Sequence, residues 1–533
     1  MAAKNKKDLI YAETPESVGV DSKEIQALCD DFIEHGQEIH SLMVIRHGKV
    51  ACEVYREPFN PDSRHMMYSI SKSFCSCAVG FCIDEGLLSM ETTFLEVFPE
   101  RKPKKPDEYL EKLNVYHLLT MRSGKNVSVM LDRTKDQWMD DFLNSPWGSE
   151  PGTEFLYISE NMYILNCMVQ KVTGMTVMDY LMPRLFEPLG IEEPFWETCP
   201  GGVEAGGWGM MLKTRDLAKF ALCIQQGGKW AGKQVLPAWW VAEIGKPHAD
   251  NREHGDNIDC VEGYGLCFWR CGGYKNCFRM DGMYSQYAFI FEDIDACIIT
   301  TAGEVWQTHF RDTVWRHVPK CFIDDDPDAK PEKITLKPFE KLRVTPRSFL
   351  ENKIEGRKIT FSKQVLHNVL GYPTSIIPLP AVYMEKDKAG NINDVTLRFL
   401  EKEALLTWTE GDEVNTVHIG MDGEYRWDEI VLGQIKYQTC SHGAWLAEDE
   451  LEIRIRPIEV VSERRLIFKF SGEKVTMRTA CVPALDQMCD NLKDSFKSVM
   501  KASVVQSVAD LVFPYIPAIV EFPFYGKFVD SSK

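Results

Sequence analysis

Residues 65–81 read HMMYSISKSFCSCAVGF, and Ser69 and Lys72 stand three positions apart where an apolar helix begins. The same Ser-x-x-Lys spacing recurs at Ser471/Lys474 and at Ser498/Lys501, so the spacing alone identifies nothing. Ser471 lies in KFSGEKVTM, whose Ser-Gly-Glu-Lys reads as a turn between two strands. Ser498 lies in LKDSFKSVMKASVV, surrounded by lysines on what reads as a solvated helix face. Only Ser69 is followed by an apolar helix, FCSCAVGFCI. One helical turn puts Ser69 and Lys72 on a common face at the start of that helix. A serine hydroxyl is a weak nucleophile until a base takes its proton. A desolvated lysine amine can do so, and a helix N-terminus offers N–H groups to a developing oxyanion.

Outward from this segment the chain alternates between strands and helices. Residues 17–35 read as an amphipathic helix. SLMVIRHGKVACEVYRE alternates around His-Gly-Lys as a hairpin. A helix-rich stretch covers about 108–245, with glycine stops after NMYILNCMVQKVTG and TRDLAKFALCIQQGG. YGLCFWR, YSQYAFIFED and DACIITTAG then read as strands, and EVWQTHFRDTVWRHV as a closing helix. The pattern predicts an α+β domain over residues 1–321: an antiparallel sheet flanked by helices, with a helical insert. The acidic, proline-bearing stretch 322–338 reads as a linker. Residues 339–533 alternate as strands, which predicts a small antiparallel barrel or sandwich, followed by a helix over about 485–511.

The 533-residue chain carries 61 lysines and arginines against 79 acids, a net charge of −18. Such a surface repels phosphate backbones, so nucleic acid is not an expected partner. The closest approach to a membrane segment, FPYIPAIVEFPFYG, is broken by Pro514, Pro517 and Pro523. The N-terminal MAAKNKKDLIYAETPESVG has no apolar run after its lysines, which reads as no export signal and a cytoplasmic protein. The seventeen cysteines are then expected as free thiols. Cys260, Cys267, Cys271 and Cys277 lack zinc-site spacing, so no metal and no cofactor is expected. Cys75 and Cys77 read as buried apolar residues. Self-association is left open.

Several further landmarks occur in order. They are MMYSISKSFCS, LNVYHLLTMRSG, PGTEFLYISENMYILNCMVQKVTG, GGWGMMLKTRDLAKFALCIQQGGKWAGKQVLPAWWV, EGYGLCFWR and MDGMYSQYAFIF. Together, over residues 15–320, the chain resembles the serine β-lactamase and penicillin-binding-protein superfamily, most of all the class C β-lactamase-like esterases. The resemblance implies that Ser69 is the acylated nucleophile. It implies that Lys72 and Tyr157 act as general base and acid. It also implies an oxyanion hole from the backbone N–H groups of Ser69 and of Met283, which follows Gly282. Trp208, Tyr284 and Gln286 match positions near the family's cleft, and His65 just precedes the nucleophile motif.

Two positions depart from the family pattern. Ser159 stands where Tyr-x-Asn has its amide, and Met280 where a Lys or His precedes Thr-Gly. Methionine can neither hold a substrate carboxylate nor tune a phenol, which disfavours β-lactams. Arg279, one residue earlier, is expected to point away by strand alternation. The expected function is hydrolysis of a small-molecule ester or amide through an acyl-serine intermediate. Transfer of the acyl group to an alcohol or amine is the alternative within enzymes. A catalytically inactive binding module is the alternative outside them.

Overall fold

The computed structural model describes residues 8–103, 107–126, 136–255, 257–362, 392–433, 435–490, 511, 513–515, 521 and 523–529. The chain divides into two compact units, one essentially up to Lys337 and the other from Pro338 onward.

The first unit is built on an antiparallel six-stranded sheet. Its strands are β1 (Ile39–Arg46), β2 (Lys49–Tyr55), β3 (Trp269–Arg270), β4 (Cys277–Gly282), β5 (Gln286–Phe291) and β6 (Ala296–Ala302). Their spatial order is β2-β1-β6-β5-β4-β3. The hairpin expected around His47-Gly48 joins β1 to β2. β1 is almost wholly buried, because helices cover both faces of the sheet.

One face carries α1 (Ser22–Glu34), capped by the Asp21 carboxylate, and the closing helix Gln307–Cys321. Phe32 of α1 stacks on Phe310 of that closing helix with ring centroids 4.5 Å apart. The other face carries α2 (Ser71–Asp84), α3 (Glu160–Thr173) and α4 (Thr214–Gln225). Phe74 and Phe220 stack between α2 and α4 with centroids 4.1 Å apart. α2 is buried on nearly every side, which explains its lack of a polar stripe. All seventeen cysteines are unpaired thiols, and Cys75 and Cys77 are buried in α2. Residues 322–337 run back over this unit: Phe322 bridges Val20, and Thr335 N–H bonds Gln26.

The second unit is a ten-stranded antiparallel sheet closed on itself. The strands are β7 (Lys358–Phe361), β8 (Ile392–Phe399), β9 (Glu403–Glu410), β10 (Glu413–Gly420), β11 (Arg426–Leu432), β12 (Ile435–Ala447), β13 (Glu450–Pro457), β14 (Glu463–Ser471), β15 (Lys474–Val482) and β16 (Phe524–Val529). A parallel bridge between Gly420 and His442 joins β10 to β12 and closes a nine-strand ring, leaving β11 outside it on β12. Alternate residues such as Ala404, Leu406 and Trp408 of β9, and Leu466, Phe468 and Phe470 of β14, are buried inside. Also inside is a fully buried ion pair, with two Arg464 nitrogens each 2.7 Å from a Glu410 oxygen. The structure thus takes the barrel form of the two expected. Residues 485–490 are helical, and the rest of the expected C-terminal helix lies outside the described residues except Leu511, which is also helical.

Among the described residues no helix is long and apolar enough to cross a membrane.

Candidate active site

Ser69 sits in a single helical turn, Tyr68–Ile70, that leads directly into α2. Three bonds tie this turn to strand Met210–Lys213 and to itself. Met67 N–H donates to the Met210 carbonyl at 2.7 Å, Met210 N–H donates to Ser71 Oγ at 3.2 Å, and Ser71 Oγ donates to the Tyr68 carbonyl at 2.6 Å. Tyr68 is held at φ +47°, a left-handed conformation that a bulky residue rarely adopts. Its ring packs edge-on against Tyr284, itself at φ +61°, with centroids 5.2 Å apart. Such conformations persist only where the surroundings over-determine them, and they concentrate at functional sites.

Lys72 is 1% exposed. Its Nζ lies 2.7 Å from Ser69 Oγ and 2.7 Å from the Gly207 carbonyl oxygen. Burial in a place that solvates a charge poorly lowers its pKa to about 7. Gly207 can come this close because it has no side chain: a Cβ there would stand 2.6 Å from the Ser159 carbonyl oxygen. The glycine-rich approach and the start of α3 thus meet beside the lysine.

Tyr157 completes the cluster. Lys72 Nζ lies 4.8 Å from its ring centroid. Burial pushes its pKa well above the ordinary tyrosine value, so the group is a neutral phenol at neutral pH.

Gly282 ends β4 against this turn, where a Cβ would collide with the Met67 carbonyl oxygen. Met283, which follows it, is half-buried. Ser69, Lys72 and Tyr157 thus lie together, with the Ser159 backbone beside Gly207 and Gly282 against the turn that precedes Ser69. Trp208 is half-buried, its ring 5.8 Å from that of Trp138. Tyr284 is buried against Tyr68. Met280 is fully buried, paired across the sheet with Ala288. Gln286 is also fully buried, and its amide is engaged by the backbone: Nε2 donates to Ala302 O at 2.6 Å, and Oε1 accepts from Ala302 N–H at 3.1 Å. His65 is buried with its Nε2 3.3 Å from His40 Nδ1, and burial holds its pKa well below the usual value.

Sequence reasoning did not single out Asp281, whose charge acts on both Lys72 and Tyr157. Nor did it find the rings beside Tyr157. Trp269 lies 5.2 Å away between centroids, and beside Trp269 lie His254, tilted, at 5.4 Å and Tyr264, edge-on, at 4.9 Å. The only signal for Asp281 was its place inside Met280-Asp281-Gly282. Among the described residues no cluster of side chains could hold a metal ion.

A family model described as Beta-lactamase matches residues 29–307. The 6-aminohexanoate-dimer hydrolase of Paenarthrobacter ureafaciens is 26% identical over 278 residues, which is 49% of this chain and 71% of the relative. The lovastatin esterase of Penicillium rubens is 24% identical over 164 residues, 26% of this chain and 41% of the relative. Among solved structures, a family VIII carboxylesterase aligns with 55% of this chain and 93% of its own, at 17% identity and a TM-score of 0.45.

Proposed function

The chain belongs to the β-lactamase family, and from that premise we propose that its N-terminal domain, residues 1–321, is a serine hydrolase for small-molecule esters or amides. The observation that carries this reading is the pair of distances at Lys72. A nearly dehydrated amine stands 2.7 Å from the Ser69 hydroxyl, with a pKa lowered to about 7. At neutral pH much of it is free amine, able to accept a proton.

In this mechanism Lys72 Nζ takes the hydroxyl proton as Ser69 Oγ attacks the carbonyl carbon. The negative charge gathers on the carbonyl oxygen, which the backbone N–H groups of Ser69 and Met283 would stabilise. Tyr157, kept as a phenol by burial, gives its proton to the departing oxygen or nitrogen and is reprotonated from Lys72. Water then attacks the acyl-serine by the reverse relay. The strained Tyr68 turn holds Ser69 in position before substrate arrives. Relatives named as a hydrolase of the 6-aminohexanoate dimer and as an esterase are in keeping with a hydrolase of small molecules.

Labelling with a fluorophosphonate, followed by peptide mapping, tests the assignment. The label is expected on the peptide holding SISK and is expected to vanish in Ser69→Ala while the fold persists. A label elsewhere, at Ser471 or Ser498 for instance, refutes the mechanism. No label and no turnover of any ester would mean a binding module instead.

A further inference from the structure

Resting on the reading of Ser69 as the acylated group, we propose that this cleft selects substrates bearing an alkylammonium group, and that Asp281 is the residue that recognises the positive charge. Asp281 occupies the penultimate position of β4, directly before Gly282. Gly282 lies against the Met67 carbonyl, two residues before the nucleophile, so the backbone of Asp281 is fixed close to Ser69. Arg279, two positions back on the same strand face, holds the carboxylate in place. Both of its contacts, from Nε and from Nη2, go to Oδ2 at 2.8 Å. No hydrogen bond among the described residues uses Oδ1. The Arg279 side chain is 0% exposed and that of Asp281 is 16% exposed. Of the two groups, the carboxylate is therefore the one solvent can reach.

The rings beside Asp281 already take cations: the Arg279 guanidinium stands 5.8 Å from the Trp269 ring centroid, and Lys72 Nζ 4.8 Å from that of Tyr157. Trp269 pairs across the sheet with Arg279, and its ring neighbours Tyr157, His254 and Tyr264. The faces of such rings attract cations. His254 adds no competing positive charge at neutral pH, since burial lowers its pKa to about 4. Met280, at the position where the family carries a cation, is neutral and turned into the core. A site built to hold a substrate carboxylate would present the opposite arrangement.

If Asp281 served only to satisfy Arg279, an asparagine would replace it without changing charge preference. The test uses p-nitrophenyl trimethylammoniobutyrate and its neutral tert-butyl isostere, which differ only in charge. For the wild type, kcat/KM for the cationic ester should exceed that for the isostere by about tenfold at low salt. The ratio should shrink as sodium chloride is added. In Asp281→Asn it should fall close to one. A wild-type ratio at or below one, or a ratio unchanged in the asparagine variant, overturns the proposal. If the neutral isostere is hydrolysed and Ser69 is labelled, the hydrolase reading survives that failure. If neither ester is cleaved and Ser69 takes no label, both fall together.

Discussion

Lys72 Nζ stands 2.7 Å from Ser69 Oγ with its side chain closed off from solvent. A charged amine could not take the serine proton there, and a neutral one can. Burial lowers the amine's pKa to about 7, so kcat/KM for an ester is expected to rise as pH increases through about 7 and then level off. A profile flat from acid to neutral pH would remove Lys72 from the role of base. Lys72→Ala should slow acylation by roughly 10²–10⁴-fold.

In the proposed relay Tyr157 donates and does not accept, because burial raises its pKa. Tyr157→Phe should therefore hurt poor leaving groups most. An alkyl ester is expected to lose about 10²-fold or more, and a p-nitrophenyl ester much less, since its leaving group needs no proton. Equal losses on both, measured as kcat/KM, would contradict this division of labour.

Met280 gives the cleft no cation for a lactam carboxylate. Small aryl esters should be cleaved well ahead of a chromogenic cephalosporin when both are assayed side by side. Efficient cephalosporin turnover with little aryl-ester cleavage would refute this.

Gly282 touches the Met67 carbonyl where any side chain would collide. Gly282→Ala must push apart the nucleophile turn and the end of β4. The expected outcome is a loss of about 10²-fold in kcat/KM, because displacements near 1 Å are that costly. The circular dichroism spectrum should stay that of a folded protein. Wild-type activity in this variant would show that the turn tolerates the shift.

The pair Arg464–Glu410 is sealed inside the barrel, and Trp408 Nε1 also donates to Glu410 at 2.9 Å. Arg464→Ala would strand a buried carboxylate, costing about 3–5 kcal/mol of stability. Replacing both residues with leucine and methionine should cost less than the single change. Urea denaturation, read by barrel tryptophan fluorescence, would distinguish the two variants.

What the sequence made legible followed local pattern. The β1–β2 hairpin, α2 and the strand alternation beyond residue 339 all carry their periodicity within a few residues. Closure of the barrel does not, because Gly420 and His442 meet past the intervening strand β11. Ser69 and Lys72 could be weighed together because one helical turn joins them. The second partner of Lys72 is the Gly207 carbonyl, 135 residues away, and a backbone atom leaves no mark in a motif. Gln286 illustrates the reverse difficulty. A polar residue on a strand near the third motif suggests a substrate contact, and only the fold reveals that its amide bonds the backbone of Ala302. Asp281 was visible as a letter. Its meaning depends on Arg279 taking one carboxylate oxygen and leaving the other.

The closed ring of the second unit bears on how copies of this chain could meet. A strand with an unpaired edge invites another molecule to extend the sheet. Eight of the nine ring strands have a ladder partner on each side or are joined through the bridge at Gly420–His442, and β10, laddered to β9, meets β12 at that one bridge. The tenth, β11, has its outer edge answered by side chains of β10: Asn415 Nδ2 donates to the Val431 carbonyl at 2.9 Å, and Asn415 Oδ1 accepts from Val431 N–H at 2.8 Å. Asp428 of β11 also answers β10, accepting from the His418 backbone N–H at 2.7 Å, and Arg426 is paired with Glu403 and Asp422. The edges of β10 and β11 are thus met by each other's side chains, which leaves them poor templates for backbone-to-backbone growth. An assembly that used this unit would have to be built from side-chain surfaces, with a geometry set by shape and charge and open to point substitution, not by a shared sheet.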